Sequence, residues 1–110
     1  MKFTDLSEFD RGWIIGILEG EGAFCNTKKT SPRVEVEMTD EDTLVRLRAL
    51  LSEYNDKHLR TRQRGKNKRT YRYNIHGKRA VLLMVDVYPF MSKRRQQRIQ
   101  EIILDYGSKI

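Results

Sequence analysis

Hydrophobic and polar positions divide the chain into eight periodic segments joined by short polar turns. Ser7 reads as a helix N-cap with Asp10 three residues on. The helix behind it runs through Gly12-Trp13-Ile14-Ile15-Gly16-Ile17-Leu18-Glu19 to about Gly20. A strand follows over Ala23 to Lys28, then the turn Lys29-Thr30-Ser31-Pro32. The next strand, Arg33 to Met38, alternates strictly, with Val34, Val36 and Met38 on one face and Arg33, Glu35 and Glu37 on the other. Thr39 is the expected cap of a second helix with an acidic first turn, Asp40-Glu41-Asp42, as the helix dipole prefers. Leu44, Leu47, Leu51 and Tyr54 mark its apolar stripe.

Period two returns in His58-Leu59-Arg60-Thr61-Arg62-Gln63-Arg64 and again in Arg69-Thr70-Tyr71-Arg72-Tyr73-Asn74-Ile75, on either side of a polar Gly/Asn segment. That pattern predicts a β-hairpin. Arg60, Arg62, Arg64 and Arg72 share one face, and Leu59, Tyr71, Tyr73 and Ile75 the other. A third helix is expected over Lys78 to Tyr88, stopping near Pro89. Ser92 opens a last one, with Ile99, Ile102, Ile103 and Tyr106 on one side and Gly107 at its end. The order αββαββα(α) predicts an α+β domain spanning residues 1–110. It would hold one four-stranded antiparallel sheet, helices on one face and Arg33, Arg60, Arg62, Arg64 and Arg72 on the other.

Composition narrows the choice. The chain has 110 residues and a net charge of +7, which fits one domain with a modest core that a large partner interface would help. Cys25 and two histidines cannot build a Cys2His2 zinc finger, and one cysteine cannot close an internal disulfide. The longest apolar stretch, Trp13 to Leu18, is far below a membrane span. The first residues lack the apolar core of a signal peptide, so a soluble, intracellular setting is expected. Position sharpens the charge: residues 1–56 carry a net of −5 and residues 57–110 a net of +12. Lys57 to Arg79 holds ten basic residues and no acidic one. Such a field calls for a polyanion, nucleic acid first, and its regular alternation argues against a disordered basic tail.

Glycines 12, 16 and 20 line one face of the first helix. Together they cost the helix roughly 2–3 kcal/mol relative to alanine, which close approach of another helix would offset. The alternatives are packing against the chain's own sheet and packing against a second copy across a two-fold axis. In the second case both copies of Glu21 approach the axis. Paired carboxylates repel unless a cation sits between them, and oxygen donors in low number suit Mg²⁺. A carboxylate pair holding Mg²⁺ beside a basic sheet is a site for phosphodiester hydrolysis.

The segment Ile14-Ile15-Gly16-Ile17-Leu18-Glu19-Gly20-Glu21-Gly22 resembles the LAGLIDADG motif of homing endonucleases. Gly16 falls on the motif's first glycine, Glu19 on its first acid, Glu21 on its second and Gly22 on its last glycine. Trp13, Ala23-Phe24, the element order and the segment Pro89-Phe90-Met91-Ser92-Lys93-Arg94-Arg95-Gln96-Gln97 are similar to the same family. The resemblance implies that Glu21 is a metal-binding carboxylate, one from each subunit, with the Gly20 carbonyl as a further ligand. It implies that Gly16 and Gly20 pack the two motif helices at the interface, as expected of a single-motif homodimer, and Gly12 extends the same face by its spacing. Lys93 or Arg94 would lie near the scissile phosphate, and Asp40 would order active-site water. Mg²⁺ is the implied metal, with Mn²⁺ or Ca²⁺ able to stand in, and a bacterial or phage-infected cytoplasm or an organelle the implied setting. The sequence departs from the motif in having Glu for both acids, in the bulk of Ile15, and in being short for the family.

These readings combine into a homodimeric, site-specific double-strand DNA endonuclease acting on a long pseudo-palindromic site, with no membrane and no small-molecule substrate. An eight-residue strand spans ~26 Å, the rise of about eight base pairs. Readout would fall to Cys25, Thr27, Lys29, Arg33, Glu35 and Glu37 on the first hairpin and to Arg60, Arg62, Arg64, Arg72 and Asn74 on the second. Glu35 and Glu37 would accept from cytosine amino groups or orient nearby arginines. One alternative is a cleavage-inactive DNA-binding regulator or RNA-splicing helper of the same fold. A second is an RNA- or single-strand-binding protein that stacks bases on outward-facing Tyr71 and Tyr73.

Overall fold

A computed structural model describes residues 2–28, 31–54, 60–64 and 68–107, with the side chains at 60, 62–64 and 68 outside that description. After a short 3-10 turn, Phe3–Asp5, the order is α1 (Glu8–Glu21), β1 (Gly22–Thr27), β2 (Ser31–Met38), α2 (Glu41–Leu50), β3 (Arg60–Arg64), β4 (Lys68–His76), α3 (Gly77–Val87), a 3-10 turn at Tyr88–Phe90, and α4 (Lys93–Gly107). The strands form an antiparallel sheet in the order β1-β2-β4-β3. The class is α+β, as the periodicity predicts.

Each start has a local cause. Ser7 caps α1, its hydroxyl accepting from the Asp10 amide at 3.1 Å. The cap of α2 is Asp40, not Thr39: its carboxylate accepts from the Asp42 amide at 3.1 Å and the Thr43 hydroxyl at 2.7 Å. A carboxylate gains more than a hydroxyl from the positive end of a helix, which moves the boundary by one residue. β2 begins at Ser31, two residues before the expected Arg33, and admits Pro32 because its ladder with β4 starts only at Arg33 opposite His76. α3 ends at Val87, and Pro89 falls in the 3-10 turn that follows. The joint between β4 and α3 is Gly77, whose φ of 68° lies in the left-handed region that favours glycine.

The core lies between the sheet's inner face and the helices. Phe24, Val34, Val36, Tyr73 and Ile75 from the strands meet Ile14, Leu18, Leu44, Leu47, Leu83, Met84, Ile99 and Ile102, all buried. Leu51 and Tyr54 complete the stripe of α2 just beyond its end. Tyr71 is half-buried against this core and Tyr73 is 3% exposed. The outward tyrosines that base stacking requires are therefore absent at these two positions. Leu59 and the polar Gly/Asn segment at 65–67 lie outside the described residues. Arg46 joins α2 to α1, stacking 4.1 Å from the Trp13 ring and pairing with Asp10 at 3.6 Å.

Tyr54 is the polar pin of this core. Its hydroxyl accepts from the Phe3 amide at 3.0 Å and donates to the Asp86 carboxylate, tying the first residues and α3 to the end of α2. Burial, with the Asp86 hydrogen bond, pushes the phenol well above its ordinary value of 10.0. A raised value means stability that is complete below about pH 10 and lost as the pH climbs beyond it. Tyr54→Phe should lower the unfolding free energy by about 1–2 kcal/mol. It should also flatten the alkaline decline, which urea titrations on both sides of about pH 10 measure.

Candidate functional site

The register sorts the strands into two faces. Ala23 pairs with Glu35, Cys25 with Arg33 and Thr27 with Ser31, while Arg33 pairs with His76, Glu35 with Asn74 and Glu37 with Arg72. In β3 the pairs are Arg60 with Arg72, Arg62 with Thr70 and Arg64 with Lys68. Directly opposed residues share a face. Cys25, Thr27, Arg33, Glu35, Glu37, Arg72 and Asn74 therefore occupy one face, opposite the core residues Phe24, Val34, Val36, Tyr73 and Ile75. Arg60, Arg62 and Arg64 occupy in-register backbone positions on that same side. Lys29 lies outside the described residues.

The acids of this face are engaged with its other side chains. Glu35 reaches Arg72 at 3.5 Å and Arg33 at 3.9 Å, one carboxylate between two guanidinium groups. Glu37 accepts from the Thr70 hydroxyl at 2.7 Å, which leaves Thr70 only 8% exposed. Glu35 thus contacts the two arginines beside it on this face.

The motif helix presents the opposite arrangement. Ile14 and Leu18 are buried against the sheet, while Gly12, Gly16 and Gly20 are exposed. A Cβ added at any of the three would meet nothing within 4 Å. Packing of this glycine face against the chain's own sheet is excluded by that result. Gly22 differs: its Cβ would lie 2.7 Å from the Leu18 carbonyl oxygen and 2.9 Å from the Leu18 Cα, so the helix-to-strand joint needs glycine for close approach.

Glu21 ends α1 and is exposed, with Gly20 before it. Among the described residues no group of three His, Cys, Asp or Glu could hold a metal ion. Glu21 and the Gly20 carbonyl are nevertheless hard oxygen donors at the negative end of a helix. That donor set fits a cation that keeps most of its water, as Mg²⁺ does, with one carboxylate supplied per chain. Asp40 follows the end of β2 that runs beyond the Gly22–Val36 pair, toward the exit of α1. Its carboxylate is occupied in capping α2.

α4 begins against the same helix end. Lys93 and Arg94 are exposed there. Arg94 lines an open cleft of about 530 Å³ together with Gly22, Ala23, Phe24, Arg95, Gln97, Arg98 and Glu101, whereas Lys93 does not. The residues that sequence reasoning missed are Arg95 and Arg98. Arg95 donates to the Gly22 carbonyl at 2.7 Å and the Glu19 carbonyl at 2.9 Å, and its Nε lies 3.2 Å from the Glu19 carboxylate. The Ser92 amide donates to the same carboxylate. That hydrogen bond first, and the Arg95 charge with it, hold the Glu19 carboxyl below its ordinary range. Arg98 donates to the Phe24 carbonyl at 3.2 Å. The available signal was the run Arg94-Arg95 followed by Arg98, one turn along a helix and thus able to follow a strand edge.

An antiparallel sheet with a charged outer face, backed by helices and flanked by a glycine-faced helix ending in an acid, defines a two-layer α+β domain built around one motif. The family model for LAGLIDADG-like domains matches residues 8–86, and the chain belongs to that family. Neither the comparison with curated proteins nor that with solved structures returns a match. No helix among the described residues is long and apolar enough to cross a membrane. Gly22→Ala should lower stability by about 1–3 kcal/mol, read as a fall in the thermal unfolding midpoint, while Gly16→Ala, whose added Cβ meets nothing within 4 Å, should not lower the stability of the isolated chain at high dilution.

Proposed function

We propose that the chain is a homodimeric, Mg²⁺-dependent, site-specific DNA endonuclease. The observation that carries this reading is the LAGLIDADG-like match over residues 8–86 on a chain whose Gly12, Gly16 and Gly20 lie open. In this reading a second copy covers the face of Gly12, Gly16 and Gly20 and brings a second Glu21 to the axis. The pair of Glu21 carboxylates with the Gly20 carbonyls would hold the cation. Bound there, Mg²⁺ would supply an activated water and stabilise the leaving oxygen.

The rest falls to the chain's own groups. The strand face bearing Arg33, Arg72 and Asn74, with Arg60, Arg62 and Arg64 in register beside them, follows the DNA groove. Its arginines suit guanine edges and phosphates. Glu35 holds Arg33 and Arg72 in place for that readout, while Cys25 and Thr27 read from β1. Lys93 or Arg94 meets the scissile phosphate, and the position of Arg94 in the cleft beside Gly22 favours Arg94. Asp40 sets the start of α2 near the site and can order water only through an oxygen that its cap leaves a lone pair on.

The test is a randomised duplex library incubated with the protein or its Glu21→Gln variant, with and without Mg²⁺, followed by sequencing of cut ends and of bound DNA. The wild type should cut only with Mg²⁺. Glu21→Gln should bind the same sequences and cut at least about 100-fold more slowly. Binding by both with no Mg²⁺-dependent cutting by the wild type would mark the chain as a binding regulator or splicing helper and sink the nuclease reading.

A further inference from the structure

Arg95 stands apart from its neighbours. Lys93 and Arg94 expose their charges, whereas the Arg95 side chain is 13% exposed and surrounded by acceptors. Its three contacts reach the Glu19 carbonyl, the Glu19 carboxylate and the Gly22 carbonyl, and its guanidinium carbon lies 5.9 Å from the centre of the Phe24 ring. The Ser92 amide joins the same carboxylate from the start of α4. Glu19 and Gly22 bracket Gly20 and Glu21 in the chain.

That placement has a physical consequence. The last four carbonyls of a helix lack intrahelical partners, so helix ends fray. Here the Glu19 carbonyl receives a charged donor, and the same planar group fixes the first carbonyl of β1. A guanidinium fork can span two carbonyls and a carboxylate at once, and an ammonium on a flexible stem cannot. The backbone is thereby pinned on both sides of the two residues that would face the cation. A carboxylate on a fraying end would spend only part of its time in the binding arrangement, and apparent affinity falls with that fraction.

We propose that Arg95 is a positioning residue: with Ser92 and Glu19 it fixes the exit of α1 so that the Gly20 carbonyl and Glu21 carboxylate are held ready for a divalent cation. The proposal rests on the metal-dependent function proposed above. It gives the first acid of the motif, Glu19, a role distinct from that of Glu21: Glu19 binds α4, and Glu21 is left to face outward.

The experiment is a titration of the ¹⁵N-labelled protein with Mn²⁺ alone, followed by paramagnetic broadening of amide signals. In the wild type, broadening should centre on Gly20, Glu21 and Gly22. Arg95→Met and Arg95→Lys should keep dispersed spectra and raise the half-saturating Mn²⁺ concentration roughly tenfold or more, the usual effect of removing an outer partner of a metal ligand. Should Arg95→Met fail to fold, Arg95→Lys and Glu19→Gln carry the test, Glu19→Gln with a smaller rise because the two carbonyl bonds remain. A role in packing alone would lower the unfolding midpoint and leave the Mn²⁺ concentration unchanged. That result, or full wild-type affinity in Arg95→Lys, overturns the assignment while leaving the metal site intact. Absence of local broadening in the wild type would overturn the metal site itself, and the role of Arg95 with it.

Discussion

The grip of α4 on the end of α1 is the constraint from which the arrangement of this protein follows. Arg95 and Ser92 close on Glu19, and Arg95 carries the bond across to Gly22, where helix becomes strand. Gly22 permits the turn because Leu18 leaves no room for a Cβ. Once that corner is fixed, β1 leaves in a set direction, β2 pairs back along it from Val36 opposite Gly22, and β4 is placed by β2. Arg98 continues the grip at Phe24, supplying a donor to the edge of β1 that no strand among the described residues covers. An exposed sheet edge is a hazard for association, and an arginine laid along it is a common protection.

Two kinds of surface result, and they divide the labour. On the sheet's outer face Glu35 pairs with both Arg33 and Arg72. Such pairing limits the rotamers of long side chains before any partner arrives, which reduces the ordering cost of recognition. The α1 glycine face, by contrast, is open: among the described residues, a Cβ added there would meet nothing within 4 Å. Glycine there weakens the helix without serving the monomer's core, the pattern expected where another backbone must come close.

Much of this was legible in the sequence because it rests on periodicity. Val34 and Val36 turn inward and Arg33 and Glu35 outward because a strand alternates, and Leu44 and Leu47 are buried because a helix repeats near 3.6. The motif at residues 14–22 showed where the helix ends in an acid, and its family is the one the chain belongs to. What escaped reading were contacts between segments distant in the chain. Arg95 looked like one more member of a basic run, since nothing local says that its charge turns in toward Glu19, 76 residues away. Asp40 looked like a site residue, and its carboxylate caps α2. The choice between Thr39 and Asp40 depends on backbone angles that propensity alone does not fix. Tyr54 read as an apolar stripe residue, and its hydroxyl's bridge from Phe3 to Asp86 could not be inferred from spacing.

On the function proposed above, the open face of α1 is where a second copy completes the site. Oxidative cross-linking addresses it directly, because a disulfide forms only when the two Cα atoms come within about 7 Å. In a Cys25→Ser background, Gly16→Cys should give a covalent dimer rapidly under mild oxidation, and Val85→Cys, on the exposed side of α3, should not. A Gly16→Cys protein that stays monomeric, or that cross-links no faster than Val85→Cys, would contradict the account.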